Sequence, residues 1–308
     1  MKRLAHISDL HFGRIDPRVV DGLLADLTAQ APDLIVISGD FVQRAKVRHF
    51  EEARAFLQKL PFPYMAVPGN HDIPVYNVFK RFTDPFGHYR RYITSDFSPL
   101  HIDDEIAVLG INTARPVIMD FSEGRMNKRQ IARVREVFCG MPDRVFKVLF
   151  THHPFLPPPD LPKTQLVGRH KLALPALESC GVDLLLAGHL HKAYSGDIMS
   201  FHTQVARSIL VAQASTATST RLRNEANAYN LITVAHPTVT FEVRSWEGAA
   251  FTGGLVSSYR KDGSRWVLQA QDTGFRPVGS DASTAADPMA TRWESVVRHA
   301  SGEAHGGA

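Results

Sequence analysis

The chain has 308 residues, 44% of them hydrophobic and 21% charged, the make-up of an ordinary globular protein and not of a disordered, collagen-like or coiled-coil chain. Lys and Arg number 35 against 31 Asp and Glu, so the formal charge is only +4. A balance that mild suits anionic substrates weakly and is no footprint for nucleic acid.

In chain order, the hydrophobic pattern predicts a strand at residues 4–7, a helix at 17–30, a strand at 34–37, a helix at 48–60, a strand at 64–67 and a helix at 74–82. It continues with a strand at 106–111, a helix at 127–138, a strand at 145–150, a helix at 169–179 and strands at 182–186 and 208–212. Pro17 and Pro74 stand where a first helical turn tolerates proline. Alternation of this kind argues for an α/β domain. After about residue 226 the period falls to two over 229–234, 239–243 and 266–269, which predicts antiparallel strands finishing a second sheet. From residue 280 Ser, Ala, Gly and His dominate, the composition of a poorly ordered tail with one helical turn around 290–297.

Two cysteines, Cys139 and Cys180, are too few for a disulfide framework or a Cys-based zinc site, and each reads as a small core residue or a bystander. Met1-Lys2-Arg3 runs straight toward charged Asp9 with no long apolar stretch, so no signal peptide is expected. The longest apolar runs, such as 182–187 with Asp183 inside it, fall far short of the roughly 20 residues a membrane span needs. The expected location is a reducing cytoplasm.

The placement of Asp, Asn and His carries the chemistry. The first predicted strand ends in Asp9-Leu10-His11, whose first and third side chains share one side of an extended strand. The next strands end in Ser38-Gly39-Asp40 and in Pro68-Gly69-Asn70-His71-Asp72. Later ones end in Thr151-His152-His153-Pro154 and in Gly188-His189-Leu190-His191. Any single histidine is usually a surface or hydrogen-bonded core residue, and one Gly-His-x-His arises by chance about 0.05 times in a chain of this composition. Five such strand ends in series are another matter, because ligands of open α/β sheets bind outside the carboxyl ends of the strands. Oxygen ligands (Asp9, Asp40, Asn70) joined by imidazoles (His11, His152, His189, His191) without thiolate suit Mn, Fe, Zn or Co. Seven ligands exceed one coordination shell and fit two ions sharing a bridging carboxylate. Two ions about 3.5–4 Å apart hold a hydroxide and clamp attacking and leaving oxygens during hydrolysis at phosphorus.

In this order, Asp-x-His, Gly-Asp, Gly-Asn-His-Asp, His-His-Pro and Gly-His-x-His resemble the motifs of the calcineurin-like metallophosphoesterase superfamily, over residues 9–191. The segment from Ala5 to His11 and the His-His-Pro form are most similar to bacterial class III cyclic nucleotide phosphodiesterases and glycerophosphodiesterases. The resemblance implies an α/β fold, a four-layer αββα sandwich of two mixed β-sheets flanked by helices. It implies a metallophosphoesterase domain over 1–245, followed by a C-terminal β extension at 246–279 and the tail at 280–308. It also implies two divalent or mixed-valence transition-metal ions, one on Asp9, His11, Asp40 and His191, the other on Asp40, Asn70, His152 and His189. His71 is then the catalytic residue that contacts the scissile phosphate without binding metal. Serine/threonine protein phosphatases of the superfamily carry Gly-Asp-x-Val-Asp-Arg-Gly, whereas this chain reads Gly39-Asp40-Phe41-Val42-Gln43-Arg44-Ala45. Gln43 replaces the acid that orients the catalytic histidine there, which leaves Asp72 and Gln43 as candidate orienters of His71. The expected substrate is a small phosphodiester, a cyclic nucleotide or glycerophosphodiester. A nuclease or a hydrolase of nucleotide-linked lipids on the same centre is the alternative, and a non-catalytic metal-binding scaffold ranks last.

Weaker candidates surround this set. Arg115 is a candidate for binding a substrate phosphate, with a solvated loop arginine the competing reading. His153 is read as lining the site beside His152. Arg221 and Arg223 are read as surface residues, as is the basic face of Arg125, Lys128, Arg129, Arg133 and Arg135. Phe79, Phe82, Phe86, Tyr89 and Tyr92 fit a wall over the site or ordinary packing equally well.

Overall fold

Strand β1 (Lys2–Ile7) leads into helix α1 (Pro17–Gln30), and both sit where the pattern puts them. The Asp16 side chain accepts the N–H of Arg18, Pro17 opens the first turn, and Ala31 closes the helix in the left-handed conformation. Strand β2 (Leu34–Ile37), helix α2 (Val47–Leu57) and strand β3 (Tyr64–Ala66) follow. The helix expected at 74–82 begins instead at Val78. Asn77 caps it by accepting the N–H of Lys80, giving α3 (Val78–Thr83), and a further short helix α4 (Gly87–Tyr92) succeeds it. Then come β4 (Leu100–Ile102), β5 (Ile106–Gly110), α5 (Lys128–Phe138), β6 (Phe146–Phe150), α6 (His170–Ser179) and β7 (Leu184–Ala187). Helix α5 starts from a full capping box between Asn127 and Gln130. Strands β8 (Tyr194–Asp197), β9 (Leu210–Gln213), β10 (Ala228–Ala235), β11 (Thr238–Trp246), β12 (Phe251–Asp262) and β13 (Arg265–Asp272) complete the elements. This computed structural model describes residues 1–116, 123–157, 163–190, 194–197, 208–220 and 226–272. His191, Arg221, Arg223 and the tail at 280–308 lie outside them.

Among the described residues two mixed sheets form, ordered β13-β12-β11-β10-β1-β2-β3 and β4-β5-β6-β7-β9-β8. Strands β1, β2 and β3 are mutually parallel, as are β5, β6, β7 and β9. The two-residue period of a strand sorts its side chains into layers. Leu4, Leu34 and Val36 enter one core with Val108, Val148, Phe150, Leu184 and Leu186 of the other sheet. Their neighbours Ala5, Ile7, Ile35 and Ile37 face the other way, onto Val19, Leu23 and Leu27 of α1 and Phe50, Ala53 and Phe56 of α2. Ala107, Leu109, Leu149 and Leu185 likewise pack on Val134, Phe138, Leu174 and Leu177 of α5 and α6. The result is helices, sheet, sheet, helices, the four layers the family resemblance implies.

Two expectations are corrected. The strands after residue 226 do not finish a second sheet; β10 pairs antiparallel with β1, Leu4 opposite Ile232, so β10 to β13 extend the first sheet. Cys139 and Cys180 are not separate core residues but form a disulfide. They stand at the C-terminal caps of α5 and α6, which pack on the same sheet face. Of the aromatic set, Tyr89 is fully buried and Phe86 and Tyr92 pack on the α1/α2 core, whereas Phe79 and Phe82 are exposed.

Candidate metal centre

The carboxyl ends of β1, β2, β3, β6 and β7 meet at one place, from both sheets. Asp9, His11, Asp40 and His189 all adopt positive φ, between 51° and 72°, a region that non-glycine residues enter at a cost and hold at functional sites. Surrounding hydrogen bonds fix these turns. The His11 N–H donates to the Asp40 carbonyl and the Asp9 N–H to that of Gly39. Thr216 and Thr218, from the small-residue run after β9, donate their hydroxyls to the carbonyls of Asp9 and Leu10 at 2.7 Å each. Gly39 is obligatory for two reasons. Its φ is +95°, a region open to glycine, and a Cβ there would stand 2.7 Å from the His152 ring.

Six of the seven expected ligands are among the described residues, and they converge. His152 Nε2 lies 3.1 Å from Asn70 Oδ1, 3.3 Å from His189 Nδ1 and 3.4 Å from Asp40 Oδ2. His11 Nε2 lies 3.5 Å from Asp9 Oδ1 and 3.8 Å from Asp40 Oδ2. Donor atoms held about 2.0–2.2 Å from one cation stand roughly 3–3.5 Å apart, so this crowd of lone pairs has the spacing and the N/O chemistry of a metal shell. Ligand atoms group as Asp9, Asp40 and His152, as His11, Asp40 and His71, and as His152, His153 and His189. Asp40 and His152 each belong to two of these groups.

Hydrogen bonds behind the cluster set its protonation. A carbonyl oxygen only accepts, so the 2.7 Å contact of His152 Nδ1 with the Ser38 carbonyl keeps a proton on Nδ1 and turns Nε2 to the centre, where it carries a second proton or, in the neutral ring, offers a lone pair. Burial opposes charge on His152, but the Asp40 and Asp9 carboxylates outweigh it and raise its pKa to about 9. The same negative field favours a cation in that place. Asp40 is held well below the usual carboxylate range: burial opposes its charge, and His152, His71 and His11 overcome that. Ser8 donates its hydroxyl to Asp9 Oδ2 at 2.7 Å, and the His189 N–H donates to the same oxygen at 2.9 Å.

His71 differs from the others. Its side chain is 27% exposed, against 0–2% for His11, His152 and Asp40. Its Nδ1 donates to the Gln43 carbonyl at 2.9 Å, leaving Nε2 4.0 Å from Asp40 Oδ2. Of the two candidate orienters it is therefore Gln43, through its backbone, that meets His71. Asp72 turns away to accept the N–H groups of Gly69 and Val42, and burial, with the charge of Asp40, pushes its pKa up to about 8. His153 lies beside His189, ring centroids 4.8 Å apart, with Thr113 Oγ1 2.8 Å from its Nδ1. Arg115 pairs with Glu123 at 3.3 Å on the wall next to His153. Sequence reasoning missed the two threonines beneath the Asp9 turn; only the run of small residues at 214–220 signalled that another backbone passes close there.

The calcineurin-like phosphoesterase family model matches residues 2–193. The chain belongs to that family. A glycerophosphodiester phosphodiesterase, GpdQ, from Enterobacter lignolyticus is 29% identical over 177 residues, 50% of this chain and 57% of that protein, so the chain spans little more than half the length of this relative. A cAMP/cGMP dual specificity phosphodiesterase from Mycobacterium tuberculosis is 26% identical over 281 residues, 82% of each chain. Among solved structures, a dimetal phosphatase from Danio rerio superposes with a TM-score of 0.57 at 13% identity, covering 82% of this chain and 98% of that one; the likeness is one of fold. Members of the calcineurin-like phosphoesterase family are metal-dependent phosphoester hydrolases, and the cluster above is where this chain would hold its ions. No helix among the described residues is long and apolar enough to cross a membrane.

Proposed function

We propose that this calcineurin-like phosphoesterase hydrolyses a small phosphodiester, of the cyclic nucleotide or glycerophosphodiester kind, at a dinuclear centre. Asp9, His11, Asp40 and His191 would hold one ion, and Asp40, Asn70, His152 and His189 the other, Mn, Fe, Zn or Co by the donor chemistry. Two such ions, when bound, supply Lewis acidity at the phosphoryl oxygens and an acidified water for attack at phosphorus. The chain's own residues do the rest. Asp40 and Asp9 set the negative field, and the buried histidines keep their Nε2 or Nδ1 lone pairs inward. The observation that carries the diester reading is His71: part-exposed, fixed by a backbone carbonyl, with Nε2 at the edge of the centre. That is the geometry of a group that gives a proton to a departing alkoxide. The relatives' names, a glycerophosphodiester phosphodiesterase and a cyclic nucleotide phosphodiesterase, point to the same substrate class.

The test is turnover of bis(p-nitrophenyl) phosphate against p-nitrophenyl phosphate, after chelation and again with Mn²⁺, followed by a panel of cyclic nucleotides and glycerophosphodiesters. The diester is expected to have the higher kcat/KM, only with metal restored. Efficient dephosphorylation of phosphoserine peptides with diesters untouched would overturn the reading. One observation favours lipid-linked substrates as a second reading: Tyr76, Val78, Phe79 and Phe82, 51–77% exposed, follow His71 in the chain as an apolar strip. Preference for long-chain over short-chain esters of one headgroup would select it.

A further inference from the structure

Beside the centre, on the far side of His153, the wall opens into a cavity of about 260 Å³ lined among the described residues by Arg115, Arg125, Arg169, Glu123 and Gln165. Three guanidinium groups face one carboxylate, a net charge of +2. That carboxylate is already engaged, Glu123 Oε2 with Arg115 Nη2 at 3.3 Å and Oε1 with Gln165 Nε2 at 3.1 Å. Arg125 and Arg169 line the cavity with it, the ion pair there among the described residues being that of Arg115 with Glu123, and Arg115 Nε is buried with no acceptor. A guanidinium N–H withdrawn from water without an acceptor costs free energy that an anionic ligand recovers. The backbone is shaped for this arrangement: Ala114 bridges to Gly124, Arg125 bridges to Gly168, and Arg169 sits at φ 67°, a left-handed position forced on a non-glycine residue. The cavity abuts the centre through one layer of atoms. Gly124 packs so closely on the His153 ring that a Cβ there would stand 2.1 Å from it, and that ring is 4.8 Å from the ring of His189.

From this we infer that the arginine cavity is an anion subsite, which takes a second phosphate or carboxylate on the same substrate molecule whose diester lies at the metal centre. The inference rests on the diester reading for what sits at the centre, and it narrows the substrate class to diesters that carry a further anionic group. Planar guanidinium groups bind such oxygens in bidentate fashion, and three of them set in a recess distinguish a dianion from a neutral hydroxyl group.

Direct calorimetry on the Mn²⁺-loaded full chain tests it without turnover. The probes are α,ω-alkanediol bisphosphates with about two to six carbons between the phosphates, each against its own monophosphate ester, since the gain from a second contact peaks where the linker matches the span. At one linker length the bisphosphate is expected to bind at least about ten-fold tighter than the monophosphate. In Arg125→Gln/Arg169→Gln that gain should fall below about two-fold. Arg125 is exposed, so Arg125→Glu alone keeps the fold and gives a second variant in which the gain should also collapse. No gain at any length in the wild type, or a gain that survives in both variants, overturns the subsite. A gain that is present while bis(p-nitrophenyl) phosphate is not turned over supports the subsite and removes the diester reading, so the two failures are distinguishable.

Discussion

His71 and His152 are both held through Nδ1 by a backbone carbonyl, yet one is buried among ligands and the other stands at the rim. On that difference rests the proposal that His152 binds metal and His71 gives a proton. His71→Ala should keep metal content and thermal stability near wild type and lower the rate about 10²- to 10⁴-fold, the usual worth of general-acid help. The loss should shrink for p-nitrophenyl esters, whose leaving group departs with little proton assistance; an equal loss whatever the leaving group, or depleted metal, would remove the acid role. A different histidine contributes to acid sensitivity. His6 is fully buried between Ser38 and Asn230, and burial lowers its pKa from 6.5 to about 3. Between those values the unfolded chain binds a proton that the folded chain does not. The stabilisation is thus complete above pH 6.5 and declines as pH falls, at about 1.4 kcal/mol per pH unit. Asp72, whose raised pKa favours the folded chain as pH falls through the same window, opposes this slope, so the test is the difference between the two proteins. The stability of His6→Gln relative to wild type should rise as pH falls from 6.5 to 4, and a constant difference in urea midpoints would refute the assignment. At this scale the sequence was informative for the residues that converge, because an acid or imidazole directly after an apolar strand has few structural reasons to be there. It was silent on what orients His71, since that partner is a carbonyl every residue possesses.

Elements with strong periodicity and a cap, α1 and α5 above all, were legible almost to the residue. Strand β12 was not. Gly253, Gly254, Ser257 and Ser258 give it no apolar alternation, and it exists because β11 offers a ladder, with a shift of register near Arg244. Helix α3 starts late because Asn77 caps it better than the preceding turn does, and Arg81 then donates from Nη1 to the Pro74 carbonyl. The pairing of Cys139 with Cys180 was invisible for the reason that a separation of 41 residues carries no signal; only the packing of α5 and α6 on one sheet face brings their last turns together. Closing a loop of that length restricts the unfolded chain, so reducing the bond, or Cys139→Ser with Cys180→Ser, should lower unfolding free energy by about 2–4 kcal/mol. Urea unfolding with and without reductant measures it. Identical midpoints would mean that the packing of the two helices alone determines their association.

For the molecule as a whole, the decisive fact is that two sheets pack face to face and deliver the candidate ligands from the same end, which non-local pairing alone establishes and local pattern does not reveal. The strand around Trp266 was legible; its place at the edge of the first sheet, across from the second, was not. Trp266 is 4% exposed, packs edge-on against Phe146 at 5.6 Å, and lies under Lys261, whose ammonium pairs with buried Asp183 at 2.6 Å. The β12–β13 hairpin therefore clasps the inter-sheet core where β6 begins. His152 follows the other end of β6, six residues on, about 20 Å away at some 3.3 Å per residue. A defect at Trp266 should accordingly be felt in stability and not in chemistry. Trp266→Ala should cost about 3–5 kcal/mol, the range for removing a large buried aromatic, while the fraction that remains folded keeps wild-type kcat/KM on bis(p-nitrophenyl) phosphate and wild-type metal content. Urea unfolding and metal analysis of the same preparation separate the two quantities. If the variant kept its stability, the hairpin would be an appendage to the sandwich; if it stayed stable but lost metal, the inter-sheet core would be transmitting its packing to the ligands, and the rigid-sandwich picture would have to give way to one in which the two sheets shift against each other.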